Sequence, residues 1–196
     1  MALTFDAGGA PDGGERILAT LAAQGVPATF FLTGDFATAF PGLARRIAER
    51  FPVGNHSMTH PDLTKLTTAD VRDQVERARR AILRVTGADP RPYFRFPFGE
   101  VDSRVISVVN SLCYVPFRWS VDSLGWQGTS GGMSAAKVRT RVVNGIGDGG
   151  IALLHVGSNP DDHTSLDADA LPGIISDLRK AGYTFVTLEQ VLPATP

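Results

Sequence analysis

The stretch Thr29-Phe30-Phe31-Leu32 is a nearly continuous apolar run. A run without alternating polar positions is typical of a strand that is covered on both faces, as the strands of parallel sheets are. A second run of this kind, Gly150-Ile151-Ala152-Leu153-Leu154, lies near the other end of the chain. We therefore expect a parallel β-sheet at the centre of the fold.

Helical patterns alternate with the predicted strands. The longest predicted helix begins after Thr67, which has Asp70 three residues on, and it ends at Gly87. The order strand, helix, strand, helix implies a parallel sheet with helices outside, either an open doubly wound sheet or a closed or partly closed barrel. About seven strands are predicted, few for an eightfold barrel: residues 2–6, 29–32, 53–55, 93–95, 114–121, 150–154 and 183–187.

Composition narrows the classes of function. The 196 residues, 43% of them hydrophobic, suffice for one domain, residues 1–196, with a full core. A net charge of −1 without a basic face argues against a nucleic-acid partner. No apolar run approaches the roughly 20 residues of a membrane span. No signal-peptide pattern precedes the first strand, which follows Met1 directly, so we expect a domain that has been trimmed of any leader. The lone Cys113 lies in an apolar segment, which predicts a buried structural thiol.

The stretch Asn55–His60 contains two of the four histidines, His56 and His60. Their spacing of four residues points both side chains the same way on a helical or tightly coiled turn. Two neighbouring imidazoles are a ready half-site for a divalent metal such as zinc. Taken alone, the pattern also fits two surface or packed imidazoles.

Five ionisable residues each lie at or just past the C-terminal end of a different predicted strand: Asp6, His56, Arg95, Asp122 and His155. Parallel strands present these ends at one face, where such folds hold their chemistry. We therefore expect one site in which a metal on the histidine pair activates a water molecule and Asp6 takes its proton. Arg95 would keep Asp6 ionised, and His155 would donate a proton to the leaving group. These parts predict a metal-assisted hydrolase of an amide or ester.

Each of these residues also has a purely structural interpretation. Arg95 would then be a surface cation and Asp122 a turn-capping residue. His155 would be a packed core histidine, and Asp6 would form only an Asx-turn before the glycines that follow it.

Five motifs in order resemble those of the polysaccharide deacetylase family, the NodB-homology domains of carbohydrate esterase family four. They are Thr4-Phe5-Asp6-Ala7-Gly8, His56-Ser57-Met58-Thr59-His60, Arg95-Phe96-Pro97-Phe98-Gly99, the segment from Trp119 to Trp126, and Leu153-Leu154-His155. The resemblance spans nearly the whole chain. It implies an α/β fold, a distorted and incomplete (β/α) barrel, that removes acetyl groups from an acetylated polysaccharide such as peptidoglycan, chitin or acetylxylan. It also implies a secreted or cell-envelope location.

The resemblance assigns roles by position. Asp6 corresponds to the catalytic base, His155 to the general acid, and Arg95 to the residue that orients the base. His56 and His60 correspond to ligands of a divalent metal ion, which we expect to be zinc. Substrate contacts are implied for three further residues: Phe98, Leu153 and Trp126, the last of which walls the acetyl pocket.

Two positions depart from the family pattern. The aspartate that normally precedes the pocket tryptophan and partners the acid histidine is Gly125 here, and we expect Asp122 to take that role. The family's third metal ligand is replaced by Ala7. Because catalytic zinc sites usually have three protein ligands, we expect weaker metal binding.

We hypothesise that the weakened metal site remains hydrolytic. The third ligand would come from water, from Asp6 itself, or from Asp12 or Asp62. The loop Asn159-Pro160-Asp161-Asp162-His163 is either a further source of ligands or a solvated loop.

Three functions compete. The first is an N-deacetylase of a peptidoglycan or chitin-like polymer, and the second is an O-acetyl esterase of xylan or another wall polymer. The third is a silent glycan-binding barrel that lost its metal with the change to Ala7. Retention of Asp6, Arg95 and His155 argues against the third, because a binding protein needs neither base nor acid. The sequence leaves the oligomeric state open.

Overall fold

The structure is a computed structural model that describes residues 1–191. Within that range the chain forms seven strands, seven α-helices and four short 3₁₀ segments. The strands are β1 (Ala2–Ala7), β2 (Thr29–Leu32), β3 (Val53–Asn55), β4 (Tyr93–Phe94), β5 (Val115–Pro116), β6 (Val121–Asp122) and β7 (Ile151–His155). The helices are α1 (Gly14–Gln24), α2 (Gly34–Ala39), α3 (Pro41–Ala48), α4 (Thr68–Thr86), α5 (Ser103–Ser111), α6 (Ala135–Gly145) and α7 (Leu166–Lys180).

The chain divides into two compact units. We call the first the terminal unit; it contains Met1–Thr29 together with Trp119 and the described residues that follow it. The second, the central unit, is the continuous segment Phe30–Arg118. The prediction that residues 1–196 form one domain stays a prediction.

The terminal unit is built on β1, β7 and β6, in that order and all parallel. Strand β1 pairs with β7 along its length, from Ala2 opposite Ile151 to Asp6 opposite His155. Helix α7 packs against α1 and α6. Because register partners in neighbouring strands project to the same face, the end of this ladder brings an aspartate and a histidine together.

The central unit contains the parallel strands β5, β4, β3 and β2, in that order. Helix α4 carries the predicted apolar stripe, and Thr67 caps it by accepting a hydrogen bond from Asp70 N. Gly87 ends this helix in the left-handed conformation, as predicted. One side of α4 packs with α5 and β4 into a core cluster that includes Val71, Val75 and Phe94.

The predicted α/β class with about seven parallel strands is confirmed, although two strand predictions were wrong. The predicted strand 114–121 is two short strands, β5 and β6. Pro116 lacks the N–H that would continue the ladder of β5. The predicted strand 183–187 contributes one bridge, between Val186 and Ala2, and its side chains stay largely half-exposed.

Two further observations concern single features. Cys113 was predicted to be buried, but it is exposed because it lies in the turn that ends α5, in the left-handed conformation. Among residues 1–191, none of the helices combines the length and hydropathy that a bilayer crossing requires.

Candidate active site

The histidine pair belongs to the central unit. Strand β3 ends at the fully buried Asn55, whose amide donates hydrogen bonds to Val75 O and Tyr114 Oη, both at 2.9 Å. His56 follows directly and donates its backbone N–H to Leu32 O at 2.9 Å. The end of a buried strand therefore fixes the backbone from which the first imidazole projects.

The segment from His56 to His60 is a tight coil rather than a helical turn. Ser57 and His60 adopt positive φ angles of 67° and 60°, and His60 N donates to Ser57 Oγ. Gln74 on α4 accepts hydrogen bonds from the N–H groups of Met58 and Thr59 through its Oε1, each at 3.0 Å. These contacts hold a backbone conformation that costs free energy for residues with a Cβ atom.

The two imidazoles face each other. Their Nε2 atoms are 3.1 Å apart, and the ring planes of His56 and His60 are inclined by 74°. His56 Nδ1 lies 2.8 Å from the carbonyl oxygen of Arg95. A carbonyl only accepts, so Nδ1 carries the proton and Nε2 presents its lone pair. Two nitrogens bound to one tetrahedral zinc ion lie about 3.3 Å apart, so the pair matches two ligands of such an ion.

Arg95 is fully buried in the central unit. Its guanidinium carbon lies 4.2 Å from the centre of the Phe31 ring, and its Nε donates to Phe117 O at 3.3 Å. Burial excludes the surface-cation interpretation. A buried guanidinium is costly unless it is paired and hydrogen-bonded. Its predicted role in orienting Asp6 stays a prediction.

Phe98 borders the histidine pair. Its ring centre lies 4.6 Å from that of His60 in an edge-on arrangement, and 64% of the residue is exposed. An exposed aromatic ring beside two ligand-competent imidazoles is suited to an apolar substrate contact. The substrate contact of Phe98 stays a prediction.

The terminal unit contains a carboxylate and imidazole cluster at the ends of β1, β6 and β7. Asp6 is buried and is the register partner of His155, and Asp122 is that of Leu153. Leu153 and His155 are two residues apart on β7, so all four side chains project to the same face. Their shared face follows from strand register alone.

The partner of His155 is Asp167, a residue that the sequence interpretation did not single out. One carboxylate oxygen, Oδ2, accepts the backbone N–H of His155 at 2.8 Å and lies 3.1 Å from its Nδ1. Asp167 is 2% exposed and lies in the first turn of α7, where the helix dipole favours a negative charge. Ser123 Oγ lies 3.5 Å from the same Nδ1.

The pKa of His155 is raised above its ordinary value. Burial by itself would lower the pKa, since it disfavours the imidazolium. The hydrogen bond with Asp167 and the negative charges of Asp167, Asp6 and Asp122 outweigh that effect. An imidazole whose pKa is raised keeps its proton to a higher pH, which suits a general acid.

Asp122 was expected to be the hydrogen-bond partner of His155, and the structure corrects this. Its Oδ1 accepts the N–H of Leu124 at 2.9 Å, the turn-capping contact of the alternative interpretation. Burial raises the pKa of Asp122, a shift that the charge of His155 partly offsets. Asp122 therefore acts on His155 through charge alone, because Asp167 occupies the position at Nδ1.

Trp126 lies in the 3₁₀ segment Gly125–Gln127 and is 50% exposed. Asn159 Nδ2 donates to Trp126 O at 2.9 Å, and Asp162 accepts from Thr129 Oγ1 and Ser130 N at 2.8 and 2.5 Å. The loop 159–163 was expected to be either a ligand source or a solvated loop. Pro160, Asp161 and His163 are exposed, which fits a solvated loop, while Asn159 and Asp162 contact the loop that carries Trp126.

The third metal ligand proposed from sequence is not evident. Ala7 is fully buried and offers no donor atom. Asp62 accepts hydrogen bonds from Thr64 N and Oγ1 and pairs with Lys65, while Asp12 accepts one from Ser158. Within residues 1–191 no group of three or more His, Cys, Asp or Glu side chains is arranged to hold a metal ion. The side chains present therefore fit two ligands of an ion and not the three of a catalytic zinc site.

Comparison with known proteins identifies related chains. Residues 1–117 match the family model described as polysaccharide deacetylase. A peptidoglycan-N-acetylglucosamine deacetylase of Bacillus cereus is 34% identical over 189 residues, covering 96% of this chain and 66% of its own length. A chitooligosaccharide deacetylase of Sinorhizobium fredii is 35% identical and is covered to 89% of its length, with 96% of this chain aligned. This chain thus spans just under two thirds of the Bacillus cereus relative.

A solved structure shares the fold. The crystal structure of a carbohydrate esterase family four pseudoenzyme from Bacillus anthracis superposes with a TM-score of 0.88 at 28% identity. The match covers 98% of this chain and 64% of that one. The predicted barrel-type α/β fold is thereby confirmed.

Proposed function

This chain belongs to the polysaccharide deacetylase family, and we propose that it hydrolyses N-acetyl groups of an N-acetylglucosamine-type polysaccharide such as peptidoglycan. The observation that carries the proposal is the cluster at the end of β1 and β7. There Asp6 lies opposite His155, and His155 is bound to a buried carboxylate. A carboxylate base and an imidazole with a raised pKa on one face can make the two proton transfers of amide hydrolysis.

The two groups divide the proton transfers. Asp6 accepts a proton from the water that attacks the acetyl carbonyl. His155 gives its proton, from Nε2, to the sugar nitrogen as the carbon–nitrogen bond breaks. The products are acetate and a glucosamine unit, and His155 must be reprotonated before the next turnover. Nδ1 is occupied by Asp167, which leaves Nε2 as the donating atom.

His56 and His60 are the proposed ligands of a divalent metal ion, for which zinc is the expected choice. Such an ion would polarise the acetyl oxygen and acidify a water molecule. The contact of His56 Nδ1 with Arg95 O supports this role, because it turns the lone pair of His56 Nε2 towards the Nε2 atom of His60. Arg95 is the proposed orienting residue of Asp6.

The proposed substrate follows from chemistry that the relatives share. One relative is named a peptidoglycan-N-acetylglucosamine deacetylase and another a chitooligosaccharide deacetylase. The exposed rings of Phe98 and Trp126 are proposed to contact the sugar, with Leu153 beneath the acetyl group. A polymer of the cell envelope as substrate would place the protein outside the cytoplasm.

Acetate release is the direct test. Purified protein with added zinc is incubated with peptidoglycan, with chitooligosaccharides and with acetylxylan, and free acetate is quantified. The proposal expects release from the first two, and expects Asp6→Asn and His155→Ala to lower the rate by about 10²- to 10⁴-fold each. Release from acetylxylan alone would instead assign the O-acetyl esterase activity.

Ala7 favours a second candidate, a glycan-binding protein without catalysis. The family's third metal ligand is absent, and one relative of the same fold is itself described as a pseudoenzyme. Glycan binding with no acetate release by the wild type, and release by the variant Ala7→Asp, would establish this candidate. Release by the wild type excludes it.

A further inference from the structure

Asp167 is a buried carboxylate whose hydrogen bonds within the described part of the chain are both with His155. Its Oδ2 accepts both the backbone N–H and the Nδ1–H of His155, at 2.8 and 3.1 Å. Its Oδ1 is also buried and has no hydrogen-bond partner among the described residues. A carboxyl group that is 2% exposed and has one oxygen without a hydrogen bond costs stability, so a purely structural role explains it poorly.

Gly125 lies directly against this carboxylate. A Cβ atom at position 125 would lie 2.7 Å from Asp167 Oδ2 and closer still to Cγ and Oδ1. Gly125 does not have a positive φ angle, so space rather than backbone conformation requires a glycine. A side chain at position 125 and the carboxylate of Asp167 therefore exclude each other.

We propose that Asp167 is the positioning residue for His155, holding its imidazole for proton donation from Nε2 in place of a carboxylate at position 125. The inference rests on the proposed function and deepens it. The chain departs from the family motif at Gly125, and the departure is compensated from α7, 42 residues further along the chain. The carboxylate of Asp167 then supplies the same negative charge and the same acceptor oxygen as a carboxylate at position 125, and it fills the same space.

Asp122 is the competing partner, and geometry favours Asp167. The carboxylate of Asp122 accepts a hydrogen bond from Leu124 N in its own turn, whereas that of Asp167 accepts two from His155. Asp122 also lies at a register position opposite Leu153, two residues before His155. Its charge contributes, but it does not orient the ring.

The first experiment uses Asp167→Asn, which keeps the shape and an acceptor oxygen but removes the charge. The titration of the His155 imidazole is followed by NMR, and the pH profile of acetate release is measured in parallel. We expect the pKa of His155 to fall, and the alkaline limb of the rate profile to move to lower pH by the same amount. The matched control is Asp169→Asn, which removes a more exposed carboxylate from the same helix turn and should change neither readout.

The second experiment moves the carboxylate from position 167 to position 125. Gly125→Asp alone should lower activity, because its side chain collides with Asp167. Asp167→Ala alone should lower it by about tenfold or more, towards the limit of about 10²- to 10⁴-fold that general acid catalysis supplies. The double variant should regain at least part of the loss and raise the pKa of His155 again. Such rescue is not expected if Asp167 only packs.

Acetate release tests the proposed deacetylase function, and the NMR titration of His155 tests the role of Asp167 separately. If no substrate releases acetate, the NMR titration still decides whether Asp167 holds His155. An unchanged His155 titration in Asp167→Asn, or a double variant no better than Asp167→Ala, would overturn the inference. Circular dichroism of each variant identifies any loss of folding, and the isosteric Asp167→Asn then decides the outcome.

Discussion

Two of the four histidines, His56 and His155, differ in the atom that faces Nδ1, and that atom sets the chemical state of each ring. In His56 that atom is the neutral carbonyl oxygen of Arg95, which fixes the tautomer so that Nε2 presents its lone pair towards His60. In His155 it is the carboxylate of Asp167, which favours the protonated ring. The same residue type is thereby suited to metal ligation in one unit and to proton donation in the other.

The raised pKa of His155 predicts a pH-dependent stability. A group whose pKa is higher in the folded state contributes stability that is fully present below its unfolded value, about 6.5, and is lost as pH rises through the folded value. We expect the free energy of unfolding of the wild type to exceed that of His155→Gln most at pH 5.5. Urea denaturation between pH 5.5 and 9 measures this difference, which should shrink with rising pH. Parallel curves for the two proteins would contradict the prediction.

At the scale of elements, the loop after β7 is hydrogen-bonded to the loop that carries Trp126. Asn159 is buried and is the centre of this contact. Its Oδ1 accepts the N–H groups of Asp161 and Asp162, and its Nδ2 donates to Trp126 O. Gly128 is required opposite it, because a Cβ atom there would lie 2.7 Å from the Asn159 side chain. Two loops separated by about thirty residues therefore form one structural element.

Removing this contact should affect binding more than catalysis. Asn159→Ala removes its hydrogen bonds with the N–H groups of Asp161 and Asp162 and with Trp126 O, each of which contributes about 0.5–1.5 kcal/mol to stability. We expect KM for the glycan to rise while kcat changes little, because Trp126 loses its support and His155 does not. Thermal denaturation and steady-state acetate release measure both effects. Asp161→Asn, an exposed position in the same loop, is the control and should resemble the wild type. A fall in kcat without a change in KM would refute the assignment.

At the scale of the whole molecule, metal binding should couple to folding. An ion that binds only the folded chain raises the free energy of unfolding, by about 2.7 kcal/mol at a concentration 100 times its Kd. His56 and His60 come together through the coil that Gln74 holds, so the unfolded chain lacks the paired site.

We therefore expect zinc to raise the melting temperature, with EDTA reversing the effect. His56→Ala and His60→Ala should each abolish the response, as read by calorimetry and by isothermal titration. The variant Cys113→Ser removes an exposed thiol outside the pair and should respond like the wild type. No zinc binding up to about millimolar concentration would reject the metal hypothesis, since even weak two-ligand sites are detectable there.

Sequence patterns by themselves determined the alternation of strands and helices, the caps of α4, and the placing of Asp6, His56, Asp122 and His155 at strand ends. These features follow from local periodicity, because a buried strand or an amphipathic helix is encoded within a few neighbouring residues. The family motifs add the roles expected of those positions.

Only the tertiary structure decided which groups touch. Asp167 was missed although an acidic residue opening the helix after His155 was visible in the sequence, because nothing local says which way its carboxylate points. The brace between Asn159 and Trp126 and the space that requires Gly125 were equally hidden. Contacts of this kind depend on how helices pack onto a sheet, and that packing is set by residues distant in the chain rather than by any one segment.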